Sequence, residues 1–84
     1  MTSKEILKKQ IIYRSSHRGS KEMDLLLGNF VKNWINKLNN KELKDLEKFL
    51  FIEDDILYHW YFNKKQNSKI PHNRIAQLLK NFRL

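Results

Sequence analysis

The chain has 84 residues and no cysteine, which limits it to one small domain and excludes disulfide bonds and thiolate chemistry. Its apolar fraction of 40% is too high for a disordered chain, and no apolar run approaches the roughly 20 residues that span a bilayer, so we expect no membrane insertion. The net charge of +8 comes from the two ends, with +4 in residues 1–22 and +6 in residues 63–84, which suits nucleic acid, an anionic membrane, an acidic protein, or merely solvated helix faces.

The first two predicted helices flank a break at Gly19. Thr2 with Glu5 three residues later is a capping box, and the helix that it starts is expected to reach about Ser16. Its apolar residues are placed to share one face: Ile6, Leu7, Ile11 and Ile12. The second helix carries the clearest amphipathic stripe of the chain: Met23, Leu26, Leu27, Phe30, Trp34 and Leu38. Gly28 lies inside it at a cost of roughly 1 kcal/mol, which indicates either a closely approaching neighbour or a tolerated penalty.

Three shorter helices are predicted downstream. Asn39 with Glu42 forms the next capping pair, the acids at 53–55 suit the N-terminus of a fourth helix, and Pro71 fits the first turn of a fifth after a polar loop over 63–70. Their apolar positions are Leu43, Leu46 and Leu50, then Ile56, Leu57, Trp60 and Tyr61, then Ile75, Leu78, Leu79 and Phe82. No stretch alternates apolar and polar residues over the length of a strand. The sequence therefore predicts an all-α protein, a compact five-helix bundle that forms a single domain over residues 1–84.

The polar stretch 17–24 at the first helix break is the leading candidate for a functional site. Arg18 has a planar fork of donors suited to a carboxylate or phosphate, Gly19 allows close approach and positive φ, and Glu22 is placed to fold back as a capping acid. One interpretation is structural, in which these residues are a solvated charge, a helix break and a cap. The other is an exposed docking patch for a partner.

The sequence does not indicate an active site, and we expect no catalytic residues and no metal site. His17, His59 and His72 lie on different predicted elements without the i, i+4 pairing of a metal site. No nucleophile elbow surrounds the serines near His17, and residues 53–55 lack the ligand spacing of a calcium loop. The protein is therefore predicted to bind rather than to catalyse.

The alternative function is a basic nucleic-acid-binding or antitoxin-like interaction module. Lys and Arg density is all that sequence-independent phosphate binding requires, and the C-terminal segment supplies it. Its six basic residues are spread over loop and helix: Lys64, Lys65, Lys69, Arg74, Lys80 and Arg83. No helix-turn-helix, zinc-finger or RNA-binding aromatic motif accompanies them.

Two blocks of the chain agree in order and spacing with a known family. The first is Arg14-Ser15-x-x-Arg18-Gly19-x-x-Glu22-Met23-Asp24-Leu25-Leu26-Leu27-Gly28-x-Phe30, and the second is Leu50-x-x-x-Asp54-x-x-Leu57-x-x-Trp60. Together they resemble the succinate dehydrogenase assembly factor 2 family, the flavinylation factors whose bacterial members are called SdhE. The resemblance covers roughly residues 5–84.

This resemblance implies a five-helix domain, monomeric when free, that acts as an assembly factor and not as an enzyme. Its partner would be the flavoprotein subunit of succinate dehydrogenase, with the fumarate reductase flavoprotein left open as a second client. FAD would become covalently attached to the client and would not be held tightly by this chain. By motif match, the partner-binding residues would be Arg18, Gly19 and Glu22, with Arg14, His17 and Asp24 beside them. The expected location is the cytoplasm in a bacterium, or the mitochondrial matrix in a eukaryote whose presequence has been removed.

Overall fold

In the computed structural model, which describes residues 2–84, five helices enclose one hydrophobic core. They are α1 (Ser3–Ser16), α2 (Lys21–Trp34), α3 (Asn40–Phe49), α4 (Asp54–Phe62) and α5 (Arg74–Asn81). There is no strand among these residues, and α1 packs against both α2 and α3 while α3 packs against α5. The all-α, five-helix prediction is confirmed. No helix of residues 2–84 is both long and apolar enough to cross a membrane.

Local capping chemistry sets the helix starts. At α1 the Glu5 backbone N–H donates to the Thr2 hydroxyl at 3.2 Å, and at α3 the Glu42 N–H donates to the Asn39 side chain at 2.8 Å. In both cases the acid side chain returns to the cap backbone, so both predicted capping boxes are confirmed. Capping of α2 comes from Ser20, whose hydroxyl accepts from the Met23 N–H.

The fifth helix begins later than predicted. Pro71 is not in its first turn, because the helix starts at Arg74 with Asn73 as the cap. The Asn73 side chain accepts from the Ala76 backbone N–H at 3.0 Å, and this local cap, rather than Pro71, sets the start of the helix. Ile70 is buried and anchors the loop just before this start.

The core is centred on α2, whose stripe is buried from Met23 to Val31. The helix ends at Trp34 rather than at Leu38, which stays buried in the following loop. Both tryptophans, Trp34 and Trp60, are half-buried at the edge of the core. The predicted second stripe is therefore buried at every position except Trp34, which is half-buried.

The predicted apolar face of α1 is wrong in part. Ile11 is fully buried and Leu7 partly buried, whereas Ile6 and Ile12 are 46% and 49% exposed. The helix meets its neighbours along a narrow line, so residues flanking that line face solvent. Gly28 of α2 faces the end of α1, and a Cβ added to it would lie 4.0 Å from the Ser15 carbonyl oxygen.

Candidate functional site at the first helix break

Arg18 is buried in a network of hydrogen bonds that joins two distant breaks in the chain. Its Nε donates to Asp54 Oδ1 at 2.8 Å, its Nη1 to the Leu50 carbonyl at 2.5 Å, and its Nη2 to the Ile52 carbonyl at 3.0 Å. The side chain is only 9% exposed. We call Arg18, Asp54 and the turn 50–52 the Arg18 clamp. The donor fork expected to face a partner is therefore used inside the chain.

Asp54 of the clamp and a further carboxylate, Asp24, also accept hydrogen bonds from backbone N–H groups at the α1–α2 break. Asp54 Oδ2 accepts from the Gly19 N–H at 2.7 Å, and Asp24 Oδ1 accepts from the Arg18 N–H at 2.6 Å. Asp54 and Asp24 both lie in the first turn of a helix, where the macrodipole also favours negative charge. Charged hydrogen bonds of this kind are the stronger ones in proteins, so the break is held rigidly.

Gly19 is required here by close approach and not by its backbone angle. A Cβ built on Gly19 would lie 3.3 Å from Asp54 Oδ2, which is tighter than ordinary van der Waals contact. No glycine in residues 2–84 has positive φ, so the left-handed conformation open to glycine is not used at Gly19. The close neighbour is a side chain of the same protein.

Glu22 is exposed and is not the capping acid that the sequence predicted. Because Ser20 is the N-cap, the position whose side chain could return to the cap is Met23. Glu22 instead borders a shallow groove between the starts of α2 and α4, which is lined by Gly19, Ser20, Glu22, Met23, Asp54, Asp55, Tyr58 and His59. Its carboxylate thus adds to an acidic edge beside the clamp.

Arg14 and His17 lie in the last turn of α1 and just beyond it. The Arg14 guanidinium carbon is 4.3 Å from the centre of the Phe51 ring, and its Nη1 is buried with no hydrogen-bond partner among residues 2–84. The His17 ring stacks on Tyr13 at 3.9 Å, with Nδ1 2.8 Å from the Tyr13 carbonyl oxygen. His17 is exposed and Arg14 half-buried.

The structure thus brings Arg18, Gly19 and Asp24 together, places Glu22 at the edge of the same region, and sets Arg14 against the turn 50–52. Their assignment as partner-binding residues stays a prediction. Asp54 and Phe51 are the two residues that the sequence reasoning about the site missed. Asp54 was placed at the start of α4 and in the second sequence block, but its bond to Arg18, 36 residues earlier, has no local signal.

Among residues 2–84 no three His, Cys, Asp or Glu side chains converge on a position that could hold a metal ion.

Comparison with known proteins identifies the family. The family described as "Flavinator of succinate dehydrogenase" matches residues 9–83. A protein named "Succinate dehydrogenase assembly factor 2, mitochondrial" from Dictyostelium discoideum is 34% identical over 76 residues, which are 90% of this chain and 52% of that protein. Proteins of the same name from Scheffersomyces stipitis and Arabidopsis thaliana are 38% identical over 67 residues and 35% identical over 57 residues.

These two matches cover 80% and 68% of this chain, and 45% and 30% of the respective relatives. The chain spans about half the length, or less, of these curated relatives. No solved structure matches. The family match takes in the whole Arg18 clamp and four complete helices, and the relatives are named as assembly factors and not as enzymes. The chain belongs to the succinate dehydrogenase flavinator family, as its two sequence blocks indicated.

Proposed function

We propose that this protein binds the flavoprotein subunit of succinate dehydrogenase and promotes the covalent attachment of FAD to it. The observation that carries the proposal is the family match over residues 9–83, which includes every residue of the candidate site. The chemistry of attachment would belong to the client and its flavin, because a cofactor supplies its own reactivity and the surrounding protein supplies orientation.

The mechanism that fits the site is positioning. A docking surface has to be rigid if it is to hold a mobile part of the client, and the Arg18 clamp makes the α1–α2 break rigid through bonds to residues more than 30 positions away. Holding the acceptor histidine of the client against the flavin would raise its effective concentration without any catalytic group from this chain. FAD is accordingly proposed as the client's ligand, with no tight binding by this protein alone.

The groove edge beside the clamp is the proposed contact for a basic or hydrogen-bond-donating part of the client. Glu22 is exposed and has no side-chain bond within residues 2–84, so its carboxylate is free to accept from a partner. A charge-assisted bond of this kind across an interface is worth enough to change affinity about tenfold.

The C-terminal basic segment fits the nucleic-acid alternative less well. Arg74 pairs with Glu42, Lys69 lies 3.5 Å from Glu53, and Arg83 donates to carbonyls at the end of α5. Several of its charges are thus engaged within the chain, and they do not form one stripe. A monomeric free state, a bacterial cytoplasmic or mitochondrial matrix location, and the fumarate reductase flavoprotein as a second client complete the proposal.

The test is a flavinylation assay with purified apo-flavoprotein, FAD and this protein, read as in-gel flavin fluorescence after denaturation. We expect Glu22→Ala to slow covalent labelling about tenfold, because one charged contact is lost at an exposed site that does not support the fold. The matched control is Asn33→Lys, which changes the charge by the same amount about 16 Å further along α2. Labelling that is independent of the wild-type protein would contradict the proposal.

A further inference from the structure

The turn between α3 and α4 holds one large apolar side chain outward. Phe51 is 66% exposed, whereas its neighbours Leu50 and Ile52 are buried and half-buried against the core. The carbonyls of those same two neighbours are the ones bound by the Arg18 guanidinium. The Arg18 clamp therefore fixes the backbone on both sides of the ring, and the outward direction of Phe51 is built into the clamp.

A single exposed apolar residue is common on protein surfaces and needs no special explanation. The second observation is Arg14, whose guanidinium carbon lies over the Phe51 ring, 4.3 Å from its centre. Its Nη1 is buried without an acceptor among residues 2–84. Buried donors are nearly always paired in folded proteins, so the half-buried Arg14 guanidinium has donor capacity that residues 2–84 leave unused.

The charges around this pair favour an acidic acceptor. The Arg18 guanidinium forms an ion pair with Asp54, with 2.6 Å between Nη2 and Oδ1, and the Arg18 backbone N–H donates to Asp24. Arg14 forms no ion pair with any acid of residues 2–84, so its charge is uncompensated there. A guanidinium beside an aromatic ring is a typical anchor of protein interfaces, where Arg and large aromatics supply much of the binding energy.

We infer that Phe51 and Arg14 form the central contact for the flavoprotein client, and that Arg18 is a positioning residue that acts through Phe51. The partner surface that fits this pair is an apolar recess with a carboxylate at its rim, so that the ring enters the recess and the Arg14 guanidinium bonds the carboxylate. This inference rests on the proposed function, since it assigns the contact surface of the same client.

The experiment measures the affinity of the full chain for apo-flavoprotein by titration calorimetry, alongside the flavinylation rate and the urea unfolding midpoint. We expect Phe51→Ala to weaken client binding about thirtyfold, with an unchanged unfolding midpoint, because the exposed ring contributes little to the folded monomer. The matched control is Leu84→Ala, which removes an equally exposed apolar side chain, at 66%, and should leave affinity within about twofold.

A double-mutant cycle tests the positioning role of Arg18. If Arg18 acts through Phe51, Arg18→Lys weakens binding in the wild-type background but has no further effect once residue 51 is alanine, in samples shown to be folded. A purely structural role would give the same loss in both backgrounds.

The outcomes separate the two proposals. A wild-type chain that does not bind the flavoprotein overturns the proposed function. A wild-type chain that binds and flavinylates while Phe51→Ala behaves identically overturns this inference and leaves the proposed function standing. A third outcome is that the wild type self-associates in analytical ultracentrifugation, while Phe51→Ala is monomeric and binds the client with unchanged affinity. That result would assign the surface to a second copy of this chain and would also overturn this inference.

Discussion

The Arg18 clamp and the basic segment 63–84 are polar regions of the molecule that are built in opposite ways. The clamp has little net charge, but its polar groups bond residues more than 30 positions away and are largely buried. The segment 63–84 carries six positive charges and no acid, and its residues are mostly exposed. The long-range bond of the basic segment, from Arg74 to Glu42, comes from an exposed side chain, whereas the bonds of the clamp come from a buried one. The burial of the long-range bonds, and not the charge density, therefore shows which region the fold holds still.

The largest expected difference between the two regions is the effect of losing an arginine. Arg18→Ala would leave Asp54 without its cation and two carbonyls without donors, so we expect a loss of about 3 kcal/mol in the free energy of unfolding. Arg74→Ala in the other region removes an exposed ion pair and should cost several times less. Urea unfolding followed by tryptophan fluorescence measures both. Equal losses would contradict the distinction between the two regions.

The two glycines differ in how closely the chain packs around them. At Gly19 a methyl group would press on Asp54, which Arg18 holds in place, so Gly19→Ala should destabilise the protein by about 1 kcal/mol. At Gly28 the same change meets only the Ser15 carbonyl at 4.0 Å and should stabilise the helix by up to about 1 kcal/mol. Thermal unfolding of the two variants should therefore shift in opposite directions, and a shift in the same direction would be evidence against the clamp geometry.

The smallest effect concerns pH and the contact between α3 and α5. The pKa of Glu42 is lowered below its usual 4.5 by the hydrogen bond from the Asn39 backbone and by the bond from Arg74. A lowered carboxyl pKa contributes stability that is present above the usual value and is lost as the pH falls below it. We expect the wild type to melt higher than Glu42→Gln at pH 7, with the gap closing below about pH 4.5. A gap that is constant with pH would exclude this source of stability.

The predictable parts of the molecule are those decided by residues close in sequence. Thr2 with Glu5 and Asn39 with Glu42 are local bonds within one helical turn, so both helix starts could be predicted to the residue. The start of α5 was predicted too early because Pro71 is compatible with a first turn but Asn73 caps the helix by accepting an N–H. The start of a helix can therefore be predicted from local chemistry only when every residue that could cap it is compared.

The candidate site was predicted in position but not in arrangement. The stretch 17–24 does lie at a helix break, yet the partner of Arg18 is Asp54, and nothing within one helical turn of either residue indicates the other. The exposure of Phe51 follows from that long-range bond and was equally hidden. The exposure of Ile6 and Ile12 could not be predicted for a similar reason. Helical periodicity indicates which face of α1 is apolar, but it does not indicate how much of that face the neighbouring helices cover.

The most direct test of the account is hydrogen–deuterium exchange of this protein alone and bound to the apo-flavoprotein of succinate dehydrogenase. A client contact at the clamp predicts added protection of backbone amides in residues 14–24 and 50–54 on binding, with residues 63–84 unchanged. Protection confined to residues 63–84, with the clamp region unchanged, would contradict it and assign the client to the basic segment instead.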